Sequence, residues 1–237
     1  PEHGGGQCVG TLVQGGAIIP AKDPYPSTPQ TRDSDWDGRG KLTDQLPPDW
    51  HEGWFDTLFL HFSDDMKSWK FFTAHTFIPE GIPAFRGEGG LGFTKGNMVQ
   101  LPNGDLLSPM AGAFKGDGLA RSWVVRSTDQ GRTWRYLGTI CYESQNPMPQ
   151  LPGHYVGAHE PSITLLPDGR LLAMLRRQYS HIPAEYLPMS VSWSSDGGKT
   201  WTKPQTTQPH LMNISPTLQM LDNGVVACEY GRPGFHI

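Results

Sequence analysis

A chain of 237 residues with a formal charge of −4 and no basic run lacks the clustered Lys and Arg that a nucleic-acid partner requires. No run of about 18 apolar residues occurs, so no helix of it is long and apolar enough to cross a membrane. Its 29 Gly and 22 Pro, with apolar content carried by Trp, Tyr, Phe, Val and Leu and no long helical periodicity, exclude a helical bundle and point to short strands joined by turns.

In chain order, the segment from Thr11 to Ile19 places Gly15 and Gly16 between two apolar runs, which predicts a strand, a turn and a second strand. A long loop from about Lys22 to Gly53 follows, rich in Pro and Asp and carrying Trp36 and Trp50. Loops of that length in a compact domain are usually functional or disordered, so its aromatic and acidic groups, Asp35 and Asp37 among them, are candidates to line a binding site. Three more apolar pairs flank Gly-containing turns: Met98 to Leu107 around Pro-Asn-Gly, Ile163 to Leu172 around Pro-Asp-Gly, and Leu218 to Val226 around Asp-Asn-Gly. Gly and Asn accept the positive φ of a tight turn, so each pair reads as a β-hairpin. Between the hairpins lies a second repeat. Ser127-Thr-Asp-Gln-Gly-Arg-Thr-Trp134 returns as Ser194-Ser-Asp-Gly-Gly-Lys-Thr-Trp201, and Ser63-Asp-Asp-Met-Lys-Ser-Trp69 is a worn copy.

Interleaving the two repeats gives a unit of hairpin, loop, strand, box and strand, which is a four-stranded antiparallel sheet. Such sheets in tandem predict an all-β chain folded as a β-propeller, each blade burying a face on the next. The blades are expected over residues 7–75, 95–140 and 160–205, with an incomplete one over 214–237, all in a single domain spanning 1–237. That is about three and a half blades, and propellers close with roughly four to eight, so the remainder is expected outside this sequence. Cys8, Cys141 and Cys228 form neither a metal motif nor a disulfide framework. Strands do not present His154, His159 and Glu160 to one ion without further ligands, so neither a metal nor a cofactor is expected.

In an up-and-down blade the hairpin turns and the boxes share one rim, leaving the opposite rim for chemistry. Antiparallel pairing around Asp168 and Gly169 sets Glu160 across from Arg176, or from Arg177 if the register slips by one. The same arithmetic around Asp222 to Gly224 sets Ser215 across from Arg232. Two guanidiniums in one basin suit a substrate with a carboxylate, because Arg binds that group through paired hydrogen bonds. The alternative for Glu160 and Arg176 is a plain cross-strand ion pair at a sheet end. Arg177, His159, Tyr179 and Arg121 are further candidates to line the same basin.

The intact boxes match Ser-x-Asp-x-Gly-x-Thr-Trp and resemble the Asp-box, or BNR repeat, of the sialidase (neuraminidase) superfamily. The box itself is expected to be structural: Asp and Ser accept backbone N–H bonds and Trp covers an apolar edge. The stretch from His159 to Arg176 also resembles the sialidase segment that carries a catalytic Glu and a substrate-binding Arg. The resemblance implies a sialidase-like propeller of roughly six blades when complete. It further implies a hydrolase releasing a terminal acidic sugar, sialic acid or a relative, from a glycan partner. Glu160 would take the proton from a Tyr nucleophile expected beyond Ile237, with Arg176 and Arg232 holding the carboxylate. A general acid is sought in the long loop, among Asp23, Asp33, Asp35, Asp37 and Asp44. Sialidases place an Arg-Ile-Pro motif at the start of the first blade, and the first visible hairpin has Gln7-Cys-Val-Gly-Thr-Leu12 there, so either that blade lies upstream of Pro1 or its Arg is absent. Glycans with acidic sugars imply a secreted or periplasmic address. The other readings are a polysaccharide lyase or uronate-specific glycosidase on the same propeller, and a glycan-binding propeller without catalysis.

Overall fold

The structure is a computed structural model that describes residues 9–11, 54–62, 69–81, 97–114, 116–117, 119–143, 155–179, 187–207, 216–231 and 235–236. For 9–11, 54–62, 69–73, 155–156, 179 and 235–236 it describes the backbone alone. All the regular elements among the described residues are strands. They are β1 (Val9–Thr11), β2 (Trp54–Phe62), β3 (Trp69–Phe77), β4 (Val99–Gln100), β5 (Leu106–Gly112), β6 (Arg121–Ser127) and β7 (Thr133–Cys141). After these come β8 (Tyr155–Leu165), β9 (Leu171–Tyr179), β10 (Ser190–Ser194), β11 (Gln205–Thr206), β12 (Thr217–Met220), β13 (Val226–Gly231) and β14 (Phe235–His236).

These strands form propeller blades, and no sheet closes on itself. β8 to β11 make one complete antiparallel blade, ordered β11-β10-β9-β8, and β12 to β14 begin the next. β4 to β7 make the preceding blade. Their sheet continues into β3, β2 and β1 through a parallel step in which Thr76 lies opposite Trp134. That step joins two blades by their outer strands. The partner of β1 among the described residues is β2, so the expected hairpin around Gly16 lies outside them, as does the long loop with Asp35 and Asp37.

The three later hairpins share one turn. Leu101 N–H donates to the Asp105 carbonyl at 2.8 Å, Leu166 to Arg170 at 2.8 Å and Leu221 to Val225 at 2.9 Å. Gly104, Gly169 and Gly224 close these turns at φ values of 88°, 85° and 82°, the left-handed region that glycine enters without a Cβ penalty. Pairing in the last hairpin is centred on Asn223, since Thr217 faces Glu229. This corrects the sequence reading by one residue, because the turn counts back from Gly224 as the others do from their glycines. Ser215 and Arg232 themselves lie outside the described residues.

Apolar burial is concentrated between blades. Ala74 and Ile78 pack with Met110, Trp123, Val125 and Trp134, joining β3 to the second blade. Leu107, Val124 and Ile140 pack with Ile163, Leu171 and Leu175, joining the second to the third. Met174, Met189 and Leu218 make the corresponding contact with the fourth. Each large side chain buried there contributes about 1.5–3 kcal/mol, so the blades hold one another rather than standing alone.

The boxes act as turn staples at these seams. Asp129 accepts from Thr133 N–H at 2.8 Å, Thr133 Oγ1 at 2.7 Å and Ser127 Oγ at 2.8 Å. Asp196 repeats this with Thr200 N–H at 2.9 Å, Thr200 Oγ1 at 2.6 Å and Ser194 Oγ at 2.8 Å. Hydrogen bonds from Thr200 hold the Asp196 carboxyl down at about 2. Each box Trp donates Nε1–H to the box Gly carbonyl, Trp134 to Gly131 at 2.8 Å and Trp201 to Gly198 at 3.0 Å. Each box also docks on the outer strand of the preceding blade. His75 N–H donates to the Arg132 carbonyl at 3.0 Å, and the equivalent carbonyl of Lys199 lies so near Gly138 that a Cβ there would approach it to 2.3 Å.

Candidate active site

Register fixes which groups meet at which rim. Leu106 pairs with Ser127 and Leu171 with Ser194, so the hairpin turns and the boxes lie at one end of the blades. At the other end β8 and β9 pair as His159 with Arg176, Ala158 with Arg177 and Tyr155 with Tyr179. The Tyr179 side chain is outside the described set.

Between His159 and Ser162 the ladder shifts, and Glu160 sits in this bulge with φ of 43°. The flat pairing expected from the sequence, Glu160 directly across from Arg176, is therefore replaced by one in which His159 is the backbone partner. The bulge still lets the side chains meet. Arg176 donates from a terminal guanidinium nitrogen to Glu160 Oε1 at 3.1 Å, with the carboxylate 8% and the guanidinium 19% exposed. A left-handed conformation costs a residue with a Cβ about 1–2 kcal/mol, so something around Glu160 must hold it there.

His159 joins this pair. Its Nε2 is buried with no hydrogen-bond partner among the described residues, and so is Arg176 Nε. Burial, reinforced by the Arg176 charge and only partly opposed by Glu160, pulls the imidazole down to about 4. The ring is neutral at physiological pH. It adds an uncharged polar atom beside a carboxylate and a guanidinium.

Arg177 points to the other face of β9 and is 2% exposed. Its Nε donates to Ser190 Oγ, and a terminal nitrogen lies 3.3 Å from Glu143 Oε2. It anchors the end of β9 to β10 and to the segment after β7. Arg121 is likewise held by neighbouring side chains. It holds Asp117 through two bonds of 2.8 and 2.7 Å, donates to Thr139 Oγ1 at 3.1 Å, and lies 4.5 Å over Phe114 and 4.1 Å over Tyr142. Burial alone would raise the Asp117 carboxyl, but the bonds from Arg121 and from Phe114 N–H outweigh it and keep the value low. Glu143 and Asp117 are the partners that sequence reasoning missed. Asp117 had a signal, four residues before Arg121 in the segment leading into β6, whereas Glu143 had none.

Of the sequence candidates, the structure thus brings together Glu160, Arg176 and His159. Arg177 is instead engaged with Ser190 and Glu143, and Arg121 with Asp117 and Thr139. Arg232, Asp35 and Asp37 lie outside the described residues. Among the described residues no group of three or more His, Cys, Asp or Glu is arranged to hold a metal ion.

Antiparallel blades stapled by Asp-boxes define a sialidase-like propeller. Residues 49–233 match the model of the BNR repeat-like domain, and the chain belongs to that family. No curated protein matches it. Among solved structures, a protein of unknown function from Dyadobacter fermentans DSM 18053 is 22% identical with a TM-score of 0.55, over 75% of this chain and 45% of that one. The Hadza microbial sialidase Hz136 is 14% identical with a TM-score of 0.46, over 74% of this chain and 31% of that one. An α-L-arabinanase from Penicillium chrysogenum is 23% identical with a TM-score of 0.35, over 56% of this chain and 39% of that one. The chain spans less than half the length of each.

Proposed function

We propose that this chain is part of a sialidase-like glycoside hydrolase that releases a terminal acidic sugar from a glycan, outside the cytoplasm. The observation that carries the proposal is the Glu160–Arg176 pair: a largely buried carboxylate on a left-handed bulge, held by a guanidinium at the rim opposite the boxes. Burying such a pair costs desolvation that a purely structural role repays poorly, and backbone strain of this kind collects at functional sites. In this mechanism Glu160 accepts the proton of a nucleophilic Tyr as its oxygen attacks the anomeric carbon. A general acid protonates the departing glycosidic oxygen, and water then releases the sugar. Tyr suits the task because a carboxylate nucleophile would be repelled by the substrate's own carboxylate. Arg176, with Arg232 in support, holds that carboxylate.

A uronate lyase is the second reading. One observation favours it: the neutral His159 beside Arg176 is an uncharged base next to a group that would neutralise a uronate carboxylate. The test is turnover of a fluorogenic sialoside and of an oligouronate by the purified protein. Hydrolysis should fall by about 10²- to 10⁴-fold in kcat for Glu160→Gln, and Arg176→Ala should mainly raise KM. The absorbance of an unsaturated uronate product would replace the first reading by the second. Absence of any turnover by folded protein would refute both.

A further inference from the structure

We infer that Ser122 and Ser162, buried serines on either side of the Glu160 bulge, are positioning residues that fix the carboxylate from the two neighbouring blades. The inference rests on the reading of Glu160 as a catalytic group.

Each serine is fully buried, and each ties the backbone across a blade seam. Ser122, on β6 of the preceding blade, donates its hydroxyl to the Ala158 carbonyl at 2.8 Å. Ser162, on β8 itself, accepts from the N–H of Leu218 on β12 of the following blade at 2.9 Å. Ala158 and Ser162 stand two residues before and two after Glu160, so the bulge is bracketed. The first bracket is reinforced by Ala158 N–H, which donates to the Ala120 carbonyl at 3.4 Å, and by a bridge between Ala120 and Gly157. At Gly157 a Cβ would come within 2.5 Å of the Ala120 backbone, so this approach exists only because the residue is glycine.

The bracket has a mechanical consequence. Beyond Ser162, which pairs with Met174, an unbulged β8 would carry Glu160 opposite Arg176 and shift Ala158 by one residue along β9. That shift breaks the Ser122 and Ala120 contacts on one side unless the Ser162 tether gives way on the other. While both hold, the bulge can neither slide nor flatten, and Glu160 stays in a conformation it would otherwise leave. A strained position persists only where its surroundings over-determine it, and here those surroundings belong to two other blades. Both serine bonds are made to backbone groups, the Ala158 carbonyl and the Leu218 N–H. Their effect passes through the backbone.

The experiment is kinetics of Ser122→Ala and Ser162→Ala on the fluorogenic sialoside, with Ser122→Thr and Ser162→Thr as conservative variants and Glu160→Gln as the control. Expected is a fall of roughly 10- to 100-fold in kcat with KM little changed, restored by the Thr variants, because a small displacement of a reacting group costs rate rather than binding. If Glu160→Gln abolishes turnover while both Ala variants keep the kcat of the parent, the inference is overturned and the reading of Glu160 survives. If Glu160→Gln retains full activity, that reading fails first. The tether is then judged by a thermal cycle that needs no turnover. Each Ser→Ala change is measured in the parent and in the Glu160→Gly background, where no strain remains to be relieved. A melting-temperature loss larger in the glycine background by about 2–4 °C supports the bracket. Strict additivity overturns it.

Discussion

Replacing Glu160 by Gly and by Ala separates backbone strain from lost charge. Both substitutions remove the carboxylate and leave Arg176, 19% exposed, without that partner, so this cost is common to the two. What differs is the backbone. At φ of 43° an alanine keeps the Cβ that collides with the neighbouring carbonyl, at about 1–2 kcal/mol, whereas glycine has none. Against this stands the extra freedom that glycine gives the unfolded chain, about 0.5–1 kcal/mol. The balance favours Glu160→Gly over Glu160→Ala by about 0.5–1 kcal/mol. In an ordinary strand the order is the reverse. For a chain of this size that margin is roughly 1–4 °C in melting temperature, readable by calorimetry or by urea titration at constant m-value. An alanine variant as stable as the glycine variant, or more stable, would refute the claim that the position is strained and with it the argument from strain to function.

Three further outcomes follow from the structure. Asp129→Ala removes the acceptor of three box hydrogen bonds of 2.7–2.8 Å and should cost about 2–3 kcal/mol in chemical denaturation. Turnover should not change, because the box lies at the rim away from Glu160. His159 is held at about 4 when folded against 6.5 for the free side chain, so the unfolded chain takes up a proton between those values that the folded one refuses. Stability should therefore fall as pH drops from about 6.5 to 4, by up to about 3 kcal/mol, and His159→Phe should flatten the slope of melting temperature against pH in that window. A Cβ at Gly138 would meet the Lys199 carbonyl at 2.3 Å, so Gly138→Ala should push the second intact box off its neighbour and lower the melting temperature by several degrees.

What was legible in the sequence was local. Ser127, Asp129, Gly131 and Thr133 close their turn through bonds that depend only on residues within four positions, so the motif specifies its own geometry and could be read without the rest of the fold. The shared turns at Gly104 and Gly169 were legible for the same reason, and they allow rims to be assigned and Glu160 to be brought near Arg176. The bulge was not legible. Its residues His159, Glu160 and Pro161 carry no glycine to announce a left-handed position, and the groups that bond on either side of it, Ser122, Ala120 and Leu218, are distant in the chain. The parallel step from β3 to β7 and the Arg177–Glu143 contact escaped the reading likewise, since both join segments whose meeting depends on how blades stack.

The repeat itself supplies a last argument about Glu160 and Arg176. Counted back from the turn glycines, the place of Glu160 is taken by Lys95 in the preceding blade and Ser215 in the following one. Counted forward, that of Arg176 is taken by Ala111 and Gly231. An ion pair needed to build a blade would be expected in more than one of them, as the box bonds are. This pair occurs once among these blades, is largely withdrawn from water, and stands on strained backbone, and the last two features each cost stability. The repeated box residues therefore account for the architecture, while the Glu160–Arg176 pair lies at the opposite rim. A shared scaffold with one asymmetric, costly cluster is the arrangement expected when blades are interchangeable as supports but only one carries this part of the chemistry.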